Sequence, residues 1–213
     1  MQRLAAKYNT YFRDKKFVYS VIATFIFLAL GLGANIYAVS YATERASNPV
    51  TDIVLSNIPI INTNLISLYG PVLLWLFVFT LSFLEPRRFP FTFKSVALFL
   101  LIRSGFVTLT HLGVFPEQLP ITTNNFISNL TTGSDLFFSG HTGLPFLLAL
   151  IYWNTKFLRY LFITASIVFG TAVLLGHYHY SIDVLAAFFI TYTIYHIAGL
   201  FFKNDKRIFE GSV

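Results

Sequence analysis

A chain of 213 residues that is 55% hydrophobic carries only 15 basic and 9 acidic side chains, too few to cover the surface of a soluble domain of this size. The composition places it among membrane proteins. The lack of cysteine excludes disulfides and thiolate metal ligands, and the net charge of +6 is segregated loop by loop, which argues against a nucleic-acid partner.

Taken in chain order, residues 1–16 form a basic tail, and from Phe17 to Thr43 there is no formal charge. That run exceeds the roughly 7–15-residue apolar core of a cleavable signal peptide and predicts a first spanning helix. Further apolar stretches at about 66–84, 91–111, 136–153, 157–177 and 182–202 each approach the ~20 residues needed to cross a ~30 Å hydrocarbon core. Gly31, Gly33, Pro71 and Pro145 fall inside these stretches, where bilayer helices tolerate them. Residues 203–213 form a second tail. With no internal repeat, low-complexity tract or linker, the expected architecture is all-α: one six-helix membrane domain over residues 17–202, flanked by two tails.

An even number of spans returns both termini to one side. That side collects Arg3, Lys7, Arg13, Lys15 and Lys16, then Arg87, Arg88, Lys94, Lys156, Arg159, Lys203, Lys206 and Arg207. Of the remaining basic residues, Arg45 lies in an opposite loop and Arg103 inside a span. The positive-inside rule therefore predicts cytoplasmic termini. The tripeptide Asn129–Thr131, a glycosylation sequon in form, is too short a pattern to carry functional weight.

Two polar islands interrupt the apolar chain, and both fall on the exoplasmic side of this topology. DLFFSGHTG (Asp135–Gly143) precedes the fourth span, and GHYHYSIDV (Gly176–Val184) joins the fifth to the sixth. Ionisable groups at bilayer depth are expensive and default to a functional role. In the second island His179 and Asp183 stand four apart, which predicts one helical face and mutual reach. A carboxylate on one imidazole nitrogen fixes the tautomer and leaves the other nitrogen as a base or nucleophile. In the first, Ser139-Gly140-His141 opens a helix whose backbone N–H groups suit an anion, with His141 placed to protonate a leaving group. Two imidazoles, a carboxylate and an anion cradle suit phosphoryl transfer without a metal. His177, His179 and Asp183 offer three metal ligands, but their i, i+2, i+6 spacing does not share a helix face and only a loop would gather them; no metal site and no cofactor are expected. His111 and His196, each alone near an interface, read as structural.

The SGH motif followed by H-x-x-x-D resembles the type 2 phosphatidic acid phosphatase superfamily of six-helix lipid phosphatases and phosphotransferases. The lipid phosphatases pair these motifs with K-x6-RP and with an Arg six residues before the second His; here no K-x6-RP occurs and Val173 holds the latter position. DLFFSGHT and HYHYSIDV are instead similar to the motifs of sphingomyelin synthases. NPVTDIVLSNIP (Asn48–Pro59) and IRSGFVTLT (Ile102–Thr110) more loosely resemble two further segments of that family, so the likeness spans about residues 48–200. The resemblance implies a phosphohistidine on His179, oriented by Asp183, with His141 as acid and then base. The substrates it implies are a phospholipid donor and a lipid hydroxyl acceptor such as ceramide or diacylglycerol, within the bilayer. With water as acceptor the same site is a phosphatase or phospholipase C.

Asp135 has two readings: a cap for the fourth span, or a support for His141 and the substrate. Ser139, Gly140 and Arg103 are candidate phosphate contacts, and His177 and Tyr180 candidate headgroup contacts. A third span starting at Lys94 buries Arg103 mid-membrane, whereas a start near Arg88, with Lys94 folded inward, raises it toward the islands. Trp75 and Trp153 serve either as an aromatic cage for a choline-type headgroup or as interfacial anchors.

Overall fold

The computed structural model describes residues 2–118 and 137–211, and among them every regular element is helical. In chain order these are α1 (Gln2–Phe12), α2 (Lys15–Glu44), α3 (Asn64–Leu84), α4 (Phe89–Leu109), α5 (Gly140–Ile151), α6 (Lys156–Leu175), α7 (Ser181–Phe201) and α8 (Lys203–Glu210). Short 3-10 turns at Leu55–Asn57 and Pro86–Arg88 complete them. Five helices (α2, α3, α4, α6 and α7) are long and apolar enough to cross a membrane. The expected fourth span is the exception. Of that stretch, among the described residues 137–153 only the 12 of α5 are helical, about 18 Å of rise against a ~30 Å core. Ser139 starts that helix as N-cap and the chain turns away at Tyr152, boundaries that an apolar count does not register. From Leu147 to Ile151 every residue is buried against neighbouring helices.

The centre of the bundle is α4. All residues from Pro90 to Leu100 are buried, although Thr92, Lys94 and Ser95 are among them. Against it lies α2, whose buried residues Phe17, Thr24, Gly31 and Ala38 recur every seven positions while most of the helix is exposed. A seven-residue period keeps one seam on its partner, and small residues along it let backbones approach, as membrane helices require. Gly31 shows the limit: a Cβ there would stand 2.9 Å from the Ala97 carbonyl oxygen.

Both tails are helical, and both fold back on the same end of the bundle. The first, α1, is tied there by the Lys7–Glu85 ion pair and by Tyr8 Oη donating to the Phe83 carbonyl at 3.1 Å. The amphipathic α8 packs Phe209 onto Phe91 and Tyr152, with the Arg88 guanidinium 5.6 Å from the Phe209 ring. Lys94 does not reach for water. Its Nζ donates to Asp205 Oδ2 at 2.7 Å and to Ser20 Oγ at 2.8 Å, and Ser20 Oγ donates to Asp205 Oδ1 at 2.5 Å. A buried ion pair repays its desolvation only when its remaining valences are filled, and the serine fills one on each partner.

Candidate active site

At the opposite end the two islands meet. Ser139 N–H donates to the Asp183 carbonyl at 3.1 Å, so one backbone bond joins the segment before α5 to the start of α7. Ser139 Oγ caps α5 by accepting from Thr142 N–H at 3.4 Å, which points the helix N-terminus and His141 into the space beside α7. Gly143 lets α5 come this close: a Cβ there would meet the Phe99 ring at 2.7 Å and Thr191 Oγ1 at 2.8 Å.

The second island departs from the expected helical face. α7 begins at Ser181, so His179 lies before the helix and Asp183 in its first turn. The carboxylate turns back. Its Oδ2 accepts Tyr180 N–H at 3.0 Å, one half of a capping box, and faces His179 Nδ1 at 3.4 Å. A carboxylate is also favoured at this dipole end. With Nδ1–H donating to the Asp183 carboxylate, Nε2 is the His179 nitrogen that carries the lone pair. Both residues are buried, and the His141 ring stands 6.2 Å from the His179 ring, centroid to centroid. His141 Nε2 donates to the Ser67 carbonyl of α3 at 3.0 Å.

Arg103 lies beside Gly140 and lines one cavity with His141, a cavity that His179 and Asp183 do not themselves line. Arg103 Nε donates to the Phe138 carbonyl at 2.9 Å and its Nη1 to Asn35 Oδ1 on α2 at 3.1 Å. Nε also sits 3.5 Å from the point where a Gly140 side chain would begin. α4 starts at Phe89, which places Arg103 six residues from the end of that helix, at the level of the islands. Arg103, Gly140, His141 and Asn35 form the polar side of a cavity of about 340 Å³ whose other walls include Leu68, Pro71, Trp75, Phe99 and Phe169. The polar groups are few and convergent, and the rest is apolar, as in sites for amphiphilic ligands.

The other candidates are placed differently. Tyr180 is 1% exposed, and its hydroxyl donates to the Gly113 carbonyl and accepts Val50 N–H, which joins three loops. His177 is 1% exposed at a positive φ of 55°, edge-on to Phe115, and neither of its ring nitrogens has a hydrogen-bond partner among the described residues. Neither residue lines the cavity. Trp75 does, but Trp153 is half exposed under Arg159, so the two tryptophans do not form one cage. Asp135 lies outside the described residues, as does the tripeptide at 129–131. Among the described residues no group of three His, Asp or Glu is gathered as a metal would need.

Asn35 and Asp52 make two further contacts to this region; Asp52 lies within the Asn48–Pro59 segment singled out above, but neither residue was among the candidate site residues. Asn35 is the one carboxamide in the uncharged first span, and an amide at bilayer depth was the available signal. Asp52 reaches α7 from the loop after α2: Oδ2 accepts Ser181 N–H at 2.7 Å, and Oδ1 accepts Val54 and Leu55 N–H at 2.8 and 3.1 Å. Burial raises its pKa, but the N–H groups of Ser181, Leu55 and Val54 and the Ser181 hydroxyl together outweigh that and hold the carboxyl below its ordinary value. A lowered folded pKa stabilises above the unfolded value of about 4 and is lost as pH falls through the lower folded one. Asp52→Asn should therefore lower stability by about 1–2 kcal/mol at neutral pH. It should also flatten the acid side of the melting-temperature profile in detergent and reduce turnover, because α7 carries Asp183.

The comparisons bear on this same segment. Residues 132–200 match the family model described as PAP2 superfamily C-terminal. The match covers about a third of the chain, includes both islands, and supports the type 2 phosphatidic acid phosphatase superfamily, whose members act on phosphoryl groups. Comparison with curated proteins and with solved structures gives no match. His141, His179 and Asp183 all lie inside the PAP2 segment, whereas Arg103, Asn35 and Asp52, which support it, come from outside.

Proposed function

We propose that this protein is a membrane lipid phosphotransferase. It moves a phosphorylated headgroup of the phosphocholine or phosphoethanolamine type from a glycerophospholipid to a lipid hydroxyl such as that of ceramide or diacylglycerol. The observation that carries the reading is the pair of imidazoles 6.2 Å apart, one on a carboxylate and the other lining, with an arginine, the polar side of an apolar cavity. His179 Nε2 attacks phosphorus, the bond to the diacylglycerol oxygen breaks, and His141 gives that oxygen its proton. In the second half His141 takes the proton of the acceptor hydroxyl, whose oxygen displaces His179 from phosphorus. Arg103 offsets the phosphoryl charge, and apolar walls favour a lipid acceptor over water. In the membrane α5 belongs to one of six crossings, the termini are cytoplasmic, and the site opens on the exoplasmic face.

Purified protein in vesicles, given headgroup-labelled phosphatidylcholine or phosphatidylethanolamine with ceramide or diacylglycerol, should yield a labelled new lipid and diacylglycerol. Release of labelled water-soluble phosphate ester instead would make the protein a phospholipase C-type hydrolase. Inorganic phosphate from phosphatidate would make it a phosphatase.

A further inference from the structure

We infer that Pro71, two turns into the apolar helix α3, is a positioning residue for His141, a conclusion that rests on His141 being the acid–base group. In a regular helix the carbonyl of residue 67 accepts the N–H of residue 71. Residue 71 of α3 is proline and has no N–H to give. Ser67 lies buried in the first turn of α3, so its bare carbonyl must find a donor within the protein. The donor is His141 Nε2 at 3.0 Å, arriving from α5 across the cavity that Pro71 also lines.

The consequence is chemical. A carbonyl oxygen only accepts, so Nε2 keeps its proton whether the ring is neutral or charged. The proton that the reaction gains and loses therefore belongs to Nδ1. Ser67 is itself buried, and its carbonyl is fixed by the helix on either side, so the ring is anchored to a rigid element rather than to a loop. The proline thus leaves open a main-chain acceptor that sets the tautomer and orientation of the imidazole.

The test is to return the missing N–H. Pro71→Ala supplies it, the helix repairs itself, and Ser67 is taken from His141. We expect kcat to fall about tenfold, a fraction of the full general-acid contribution, with KM within about twofold and thermal stability in detergent unchanged or higher. The loss should shrink in the first half-reaction for a donor with a nitrophenolate leaving group, which needs no proton. N-Methylalanine placed at position 71 by suppressor tRNA has neither ring nor N–H and should retain wild-type kcat. Wild-type kcat in Pro71→Ala would overturn the inference, as would an equal loss in the N-methylalanine protein, which would assign the effect to ring packing. His141→Ala assayed alongside separates the two levels. If it is inactive while Pro71→Ala is normal, only the positioning role falls; if it is fully active, the acid–base reading falls with it.

Discussion

Replacing His179 by alanine should abolish turnover, by about 10³-fold or more, with every donor and acceptor. The expectation follows from where the ring sits. It is buried, its Nδ1 faces Asp183, and Nε2 is left as the one basic nitrogen on that side of the site. Without it no covalent intermediate forms, and a better leaving group cannot compensate because the bond-forming partner is missing. The fold should survive, since Asp183 still accepts Tyr180 N–H and α7 keeps its cap. The check is a rapid acid-free quench with headgroup-labelled donor. Wild-type protein should carry acid-labile, alkali-stable label on histidine; His179→Ala should carry none while melting within a few degrees of wild type. Turnover retained in His179→Ala would end the mechanism. Asp183→Asn should fall between the two, because the amide still caps the helix but no longer holds a charged imidazole.

The islands were legible in the sequence because the cost of polar groups in hydrocarbon makes them conspicuous, and the spacing of Ser139, His141, His179 and Asp183 named a chemistry. What the spacing could not give was the local backbone. His179 and Asp183 read as one turn of helix, yet the pair straddles the cap of α7, where the carboxylate serves the helix start and the imidazole together. The same kind of limit applied to α5, whose ends are set by Ser139 and Tyr152 inside a stretch of unbroken apolar character. Asp52 and the Ser67 carbonyl stand 129 and 74 residues from the island residues they contact, Ser181 and His141, and Asn35 reaches the islands only through Arg103, 68 residues away. Long-range pairing of this kind is a property of helix packing, and no local pattern encodes it. Lys94 illustrates the point from the other side. A helix start near Arg88 with Lys94 folded inward was one of two arrangements open from the sequence, but the carboxylate of α8 that holds it inside was not visible there.

His141→Ala should separate the two half-reactions. With a phospholipid donor the leaving diacylglycerol oxygen needs a proton as its bond to phosphorus breaks, so the rate should fall by roughly 10²–10⁴-fold. With a donor whose leaving group is nitrophenolate, such as nitrophenyl phosphocholine, that proton is not needed and His179 can still be loaded. The acceptor hydroxyl, however, must still lose its proton in the second step, and the base for it is gone. The variant should therefore release a burst of nitrophenol approaching one per active site and then stall, with labelled protein accumulating. The wild-type protein should show continuous release and little accumulated label when acceptor is present. Stopped-flow absorbance and the quench assay together distinguish the outcomes. A His141→Ala protein that turns over steadily with nitrophenyl phosphocholine and ceramide would show that deprotonation of the acceptor does not depend on this ring. Absence of any burst would show that His141 is needed to load His179, through the placement of the phosphoryl group beside Arg103 rather than through its proton.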